Sequence, residues 1–227
     1  MQKPKSVEPL DYERLDYEPS AASSRMATLA LIPSAVAFNI ALAYIMFATK
    51  APVYLDCVGI ITTTLIAGLV PGLIVCILAF PLMAMTFNPM IIYFTGTAAM
   101  MAICTHLLAK VGGFKNIWRT VLSGIVMGFV SAFVSMPVSV KLFGAITTAG
   151  SSLVTTFFLH RGFSVDHAAV LSGILCDALS DKWIEALIAV SLIRAVPMDL
   201  LQRFRGPALA RNFGVKEVAD GPRSAGG

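Results

Sequence analysis

Long apolar runs alternate with short polar breaks along most of the chain, and this alternation is its main structural signal. A membrane-spanning helix needs about 20 predominantly apolar residues. Several runs approach or exceed that length, and the breaks between them carry Pro, Gly, Asn or charged residues, which end helices or form turns. The pattern predicts spanning helices at about 26–48, 53–69, 72–87, 90–109, 118–138 and 183–204.

The apolar run at 57–87 is too long for one span and too short for two full ones. Val70, Pro71 and Gly72 interrupt it. Because proline removes a backbone donor and glycine permits a sharp turn, we predict two short, tilted helices that meet at this point.

The region 139–182 is less apolar than its neighbours and contains many Gly, Ser and Thr residues. Its apolar stretches are too short to span comfortably, so we predict a pair of partly re-entrant or interfacial helices covered by protein. The predicted fold class is all-α, a polytopic membrane protein with a six-helix transmembrane bundle at 26–205. The stretches 1–25 and 206–227 are predicted to be disordered cytoplasmic tails.

Composition supports lipid as the solvent of this bundle. Apolar residues make up 57% of the chain and charged residues 13%, against roughly 45–50% and about 25% in soluble domains. The net charge of +4 is spread over several loops. Because no basic face carries interleaved aromatic residues, we expect no nucleic-acid partner.

The distribution of Lys and Arg predicts the orientation. Most of them lie near the two termini and in the loop at 110–119, whereas the opposite side holds Lys50, Lys141, Arg161 and Lys182. Cytoplasmic loops carry an excess of positive residues. The predicted topology therefore has six spans, both termini in the cytoplasm, and a multi-pass location in the inner or plasma membrane.

The sequence offers no enzyme motif. It contains no G-x-x-x-x-G-K-[ST], so this chain is not predicted to hydrolyse ATP itself, and neither G-x-S-x-G nor H-E-x-x-H occurs. The four cysteines and three histidines lack the spacing of a metal site. We therefore expect no catalytic residue, no metal and no cofactor.

Small residues recur at four-residue spacing on two predicted helices. The first helix carries Ala30 with Ser34 and Ala37 with Ala41. The fifth carries a G-x-x-x-G pair at 124 and 128. Such spacing permits close helix approach, which serves either packing within this subunit or docking onto a partner helix.

Polar residues at the outward end of the bundle are the candidates for ligand binding, together with one polar residue inside the first span. Asn39 serves either a neighbouring helix or a ligand. Asp181 with Lys182 is either part of a site or a solvated helix start capped by Asp181, and tyrosines are also common interfacial anchors. The candidate ligand-binding residues are Asn39, Tyr54, Asp56, Asn88, Tyr93, Asp177 and Asp181.

We expect the ligand between the loop at 49–56 and the region 139–182. A neutral or cationic, partly aromatic ligand fits this end better than an anion, because no paired Arg faces it.

Three segments resemble the substrate-binding subunits (S components) of energy-coupling factor (ECF) transporters. PVYLDCVGIITTTLIAGLVPGLIVCILA is similar to their first loop with the second and third helices. SGIVMGFVSAFVSMPVSVKLFGAITTAG is similar to the fifth helix and the loop after it. DKWIEALIAVSLIRAVPMDLLQRF is similar to the last helix. The region 139–182 is longer than in a minimal S component.

The resemblance implies a six-helix bundle that binds a vitamin or similar micronutrient near the outer face. It implies a transmembrane coupling subunit and ATPase subunits on other chains. An A-x-x-x-A motif in the first helix meets the coupling subunit in that family; Ala37 and Ala41 match it here, with Ala30 and Ser34 as a looser match. The loop at 49–56 corresponds to the family's lid. The alternative function is a small membrane sensor or a stand-alone permease.

Overall fold

The computed structural model describes residues 21–204 and 207–214, and within these ranges the protein is all-helical, without a strand. A 3-10 segment, Pro89–Phe94, precedes the fourth α-helix, and a π-helical segment, Ile174–Asp181, joins the seventh to the eighth. The α-helices are α1 Ala21–Thr49, α2 Val58–Ala67, α3 Leu69–Thr86, α4 Thr95–Lys110, α5 Ile117–Phe143, α6 Ser151–His160, α7 Val165–Gly173, α8 Lys182–Ala195, α9 Met198–Leu201 and α10 Pro207–Phe213.

Four helical stretches are long and apolar enough to cross a membrane: Ala22–Thr49, Leu69–Thr86, Pro89–Lys110 and Ile117–Phe143. Their outer faces carry large exposed hydrophobic side chains. Apolar surface of this extent is unusual for a soluble monomer. The described chain is therefore that of a helical membrane protein.

The break between α2 and α3 lies at Gly68, not at the predicted position 70–72. Gly68 has φ +99°, a conformation that glycine adopts without steric cost. Pro71 lies in the first turn of α3, where a backbone N–H has no partner within the helix, so proline is tolerated. A Cβ on Gly72 would overlap the side chain of Thr64, so the two helices pack closely beyond the turn.

The last long helix begins earlier than predicted. α7, the π-helical segment and α8 follow one another without a gap from Val165 to Ala195. The predicted pair of helices in 139–182 corresponds to α6 and to the first part of this continuous helix, and the helix predicted at 183–204 in fact begins and ends earlier. Val196 is extended before Pro197, as expected of a residue that precedes proline.

The G-x-x-x-G pair of α5 serves packing within the subunit. A Cβ on Gly124 would overlap the backbone of Trp183, and one on Gly128 would overlap that of Ala178. Close backbone approach of this kind is what small residues permit in membrane bundles. It fixes α5 against the long helix that carries Asp177.

Part of the predicted C-terminal tail is folded. Within 206–227, residues 207–213 form α10, and Asn212 holds it to the end of α4 and to the α4–α5 loop. The Asn212 side-chain amide donates to the Ala109 carbonyl (2.9 Å), and its Oδ1 accepts from Phe114 N–H (3.0 Å). These bonds and the burial of Leu209 explain why the segment is ordered. Residues 21–25 of the predicted N-terminal tail form the start of α1. The remaining residues of the two predicted tails, 1–20, 206 and 215–227, lie outside the described residues.

Candidate ligand-binding cavity

A cavity of about 130 Å³ lies at one end of the bundle, between the α1–α2 loop (residues 50–57) and the polypeptide that follows α5. One of its walls is apolar. It is supplied by α1, α3, α4 and the 3-10 segment. Its main side chains are Met46, Phe47, Phe80, Phe87, Phe94 and Met101.

The opposite wall is polar and comes from α5, α6 and the long helix. Ser131, Ser135 and Ser139 of α5 line the cavity at four-residue intervals, which places them on one helix face. The remaining polar groups of this wall are Ser151, Thr155, Ser172 and Asp177. A cavity with one apolar and one hydrogen-bonding wall is typical of small-molecule sites.

A buried ionic cluster closes one side of the cavity. The Lys182 Nζ atom lies 2.6 Å from Asp181 Oδ2, 3.0 Å from Glu185 Oε2 and 3.3 Å from Asp56 Oδ1. Asp181 and Glu185 are fully buried. Such charges are tolerated in an apolar bundle because they are paired. An ammonium group has three N–H donors, and these three carboxylates use all of them.

The same carboxylates hold the α1–α2 loop in place. Asp181 Oδ1 accepts hydrogen bonds from the backbone N–H groups of Tyr54 (3.1 Å) and Leu55 (3.0 Å). Glu185 Oε1 accepts from Cys57 N–H at 2.8 Å. Leu55 has φ +50°, a conformation that a leucine keeps only where its surroundings enforce it.

Further contacts seat the loop on the segment after α5. The Tyr54 hydroxyl donates to Ser151 Oγ at 2.6 Å, and Lys50 Nζ donates to the Thr148 carbonyl at 3.3 Å. A Cβ on Gly150 would overlap the carbonyl oxygens of the loop. The loop therefore lies over the cavity and is fastened on two sides.

Four of the predicted ligand-binding residues line the cavity: Tyr54, Asp56, Asn88 and Asp177. Asn88 is also the N-cap of the 3-10 segment, and its Oδ1 accepts from the Thr148 hydroxyl at 2.9 Å.

Asn39, Tyr93 and Asp181 are not among the lining residues. Asn39 is fully buried between α1 and α2, where its Oδ1 accepts from Gly59 N–H at 2.6 Å. Tyr93 packs its ring edge-to-face on Phe143 and is 56% exposed. These placements favour the structural alternatives for both residues.

The interpretation of Asp181 and Lys182 as a solvated helix start is wrong. Both are buried, the helix continues through them, and the Asp181 side chain makes no capping bond. Its carboxylate instead binds Lys182 and the α1–α2 loop.

The serines of α5 and the ion-paired Glu185 are functional candidates that were not predicted from the sequence. The serines carry a readable signal, since three hydroxyl residues at four-residue spacing within an apolar helix define one polar stripe. Glu185 also carries a local signal, since its ion-pair partner Lys182 is three residues earlier. Its bond with Cys57 N–H, 128 positions away, becomes visible only in the fold.

Asp56, Cys57 and Glu185 bring one oxygen or sulfur atom each within 4.8 Å of one another, as metal ligands do. However, Lys182 Nζ already lies 3.3 Å from Asp56 and 3.0 Å from Glu185. The ammonium group thus fills the position that a metal cation would take.

The small residues of α1 lie on its outer face. Ala30, Ser34, Ala37 and Ala41 are all exposed, whereas Ala35 on the opposite side is buried. Packing within this subunit therefore does not explain either pair in the described part of the chain. The exposed pairs remain available to a partner helix or to lipid.

A comparison of the chain with protein-family models, curated proteins and solved structures finds no match.

Proposed function

We propose that this protein is the substrate-binding subunit of an ECF-type uptake transporter for a vitamin or related micronutrient. The observation that carries the proposal is the cavity itself, with its apolar and polar walls and the fastened α1–α2 loop above it. A subunit that only binds and presents a small molecule needs such a pocket and no reactive group. The resemblance of the three sequence segments to S components supports the same assignment.

In the proposed topology the bundle crosses the membrane six times, through α1, α2, α3, α4, α5 and the helix from Val165 to Ala195. The basic residues Lys115 and Arg194 meet at one end, where Arg194 donates to the Lys115 carbonyl at 3.0 Å. The positive-inside rule favours the cytoplasm for that end. The cavity then opens toward the outside of the cell membrane.

The mechanism involves no covalent chemistry. The ligand enters from outside, and the α1–α2 loop closes over it as a lid. A transmembrane coupling subunit and ATPase subunits on other chains then supply the energy for inward release. We assign the docking contact to the exposed small residues of α1, Ala37 and Ala41, with Ala30 and Ser34 as the second choice.

The second candidate function is a small membrane sensor or a stand-alone permease. The fastened loop is compatible with a sensor, because a ligand that displaces it would change the outer surface of the protein. A sensor would signal through a partner protein, whereas a binding subunit would deliver its ligand into the cell only together with an ATPase module.

The test combines capture with transport. The protein is purified in lipid nanodiscs without added small molecules, and the molecules bound to it are identified by mass spectrometry. Uptake of the identified molecule is then measured in cells that express the chain with and without its host's coupling module. We expect ATP-dependent uptake only with the module. Uptake without it would favour the permease, and binding without any uptake would favour the sensor.

A further inference from the structure

The cavity has an unequal charge balance. Among the described residues that line it, Lys182 is the one Lys, Arg or His, whereas Asp56 and Asp177 both line it. The three N–H donors of Lys182 are already bound to Asp56, Asp181 and Glu185. An anionic ligand would therefore find no free cationic donor on these walls.

Asp177 lies close to the ionic cluster but is not one of the three carboxylates that pair with Lys182. It is 4% exposed and lines the cavity from the π-helical segment. In the described part of the chain its carboxylate forms no ion pair, and its polar partner is the Ser131 hydroxyl of α5, which donates a hydrogen bond to it. A buried carboxylate without a cation is costly in an apolar bundle and is commonly functional.

Asp177 lies on a π-helical segment that packs closely against α5. π-Helical turns are rare and frequently occur at functional sites, and this one spans Ile174–Asp181. Gly128 lets α5 approach the backbone at Ala178 directly. The Asp177 carboxylate is thus fixed on a rigid element opposite the wall that carries Phe87 and Phe94.

From this arrangement we infer that the ligand is an organic cation, whose positive group pairs with Asp177 and whose apolar or aromatic part packs on the wall of Phe87 and Phe94. The inference rests on the proposed function, since it names the ligand class of the same cavity. The cation supplies the ion pair that Asp177 lacks, and the serines of α5 accept hydrogen bonds from its donors. Aromatic faces beside the site add to the attraction for a cation.

The test uses matched probes that differ in charge. One set is 1-methylnicotinamide (cation), nicotinamide (neutral) and nicotinate (anion); the other is benzylammonium, benzyl alcohol and benzoate. Binding to the full chain in lipid nanodiscs is measured by calorimetry at millimolar probe concentration. We expect each cation to bind more tightly than its neutral and anionic counterparts, by on the order of 10- to 100-fold, because a charge-assisted contact replaces a neutral one.

Two variants test whether Asp177 causes the preference for cationic probes. Asp177→Asn keeps the shape and removes the charge, so the preference for cations should disappear. Asp166→Asn removes an exposed carboxylate of the same long helix and should leave the preference unchanged. Circular dichroism shows whether Asp177→Asn folds. If it does not, the binding of cationic, neutral and anionic probes to the wild-type protein alone decides the charge class of the ligand.

Equal binding of all charge classes, a preference that persists in Asp177→Asn, or no binding of any cation would each overturn the inference. The identity of the molecule that co-purifies with the protein shows whether only the cation assignment fails or the proposed function fails as well. A bound, transported molecule without a positive charge would refute the cation assignment and leave the binding subunit in place. A chain that carries no small molecule and binds none of the probes would argue against both.

Discussion

Asp181 and Tyr54 are 127 positions apart in the chain and are joined by a hydrogen bond from the Tyr54 N–H group to Asp181 Oδ1, 3.1 Å long. Through this bond the buried carboxylate of the long helix holds the backbone of a loop over the cavity. The same carboxylate also accepts from Lys182 at 2.6 Å. One side chain thus links the loop to the ionic cluster.

Replacing Asp181 by Asn should destabilise the protein. The change removes a charge that three donors share and leaves Lys182 with an incomplete set of partners. We expect the free energy of unfolding to fall by about 3–5 kcal/mol, as when one partner of a buried ion pair is removed. Reversible unfolding in mixed micelles measures the change. The control, Asp166→Asn on the exposed surface, should change it by less than about 0.5 kcal/mol; equal effects would contradict the anchoring role.

Tyr54→Phe should loosen the α1–α2 loop without unfolding the bundle. It removes the hydroxyl that donates to Ser151 at 2.6 Å. Cys57, the buried last residue of the loop, reports the opening when the other three cysteines are replaced by alanine. Its reaction with a soluble maleimide should accelerate about 5- to 10-fold, because the loss of one hydrogen bond raises the population of the locally open loop by that factor. Tyr93→Phe, at an exposed tyrosine whose ring packs on Phe143, is the control, and an equal rate in both variants would show that the hydroxyl does not fasten the loop.

Adding a single methyl group to α5 should separate it from the long helix. A Cβ at Gly128 would overlap the backbone of Ala178, while a Cβ at Gly96 would meet no atom within 4 Å. We expect Gly128→Ala to lower the free energy of unfolding by about 1–3 kcal/mol, since the backbones must move apart. Gly96→Ala should leave it unchanged or raise it by up to about 1 kcal/mol, because alanine is the better helix former. Equal stabilities would mean that the contact at Gly128 does not constrain the helices.

Bulky residues on the outer face of α1 test the docking proposal. Ala37→Trp and Ala41→Trp should abolish uptake while ligand binding is retained, because a large side chain blocks close helix approach. Leu29→Trp, also exposed on α1 but outside the small-residue stripe, should leave uptake intact. If uptake survives Trp at both alanines, docking occurs elsewhere, and Ala30 with Ser34 is tested next.

Cysteine labelling tests the topology. In a background without native cysteines, single cysteines at positions 50 and 161 should react with an impermeant reagent added outside intact cells, and a cysteine at position 115 should not. All three positions are exposed. Disruption of the cells should make position 115 reactive. Reaction at 115 in intact cells would contradict six spans with cytoplasmic termini.

The apolar pattern predicts the class of fold and most of the helices. The stretches near 26–48, 72–87, 90–109 and 118–138 each lie largely within an observed helix. Local signals located the α2–α3 turn to within a few residues. They predicted the turn at Pro71, but proline is tolerated in the first turn of a helix. The turn lies at Gly68, which has a positive φ.

Long-range pairing explains what the pattern could not predict. Asp181, Lys182 and Glu185 look like a polar break when they are considered alone, and the predicted last helix accordingly began beside them. Lys182 pairs with Asp181, with Glu185 and with Asp56, which is 126 positions away, so these residues lie buried within a continuous helix and do not form a break. Asn212 is a second example, since its partners Ala109 and Phe114 are about a hundred residues earlier.

The shortness of α2 gives the cavity an electrical consequence. With 10 residues against 18 in α3, α2 is about 15 Å long and its neighbour about 27 Å. Because both helices meet at Gly68, the loop end of α2 lies about 12 Å deeper than the corresponding end of α3. In the proposed topology, the cavity therefore lies below the outer surface of the bundle, and water that enters when the loop opens carries the outside potential down to it, so most of the membrane voltage then falls across the thickness below. A cation then crosses little of the field when it is captured and most of it when it is released inward, where each charge gains about 2.3 kcal/mol per 100 mV.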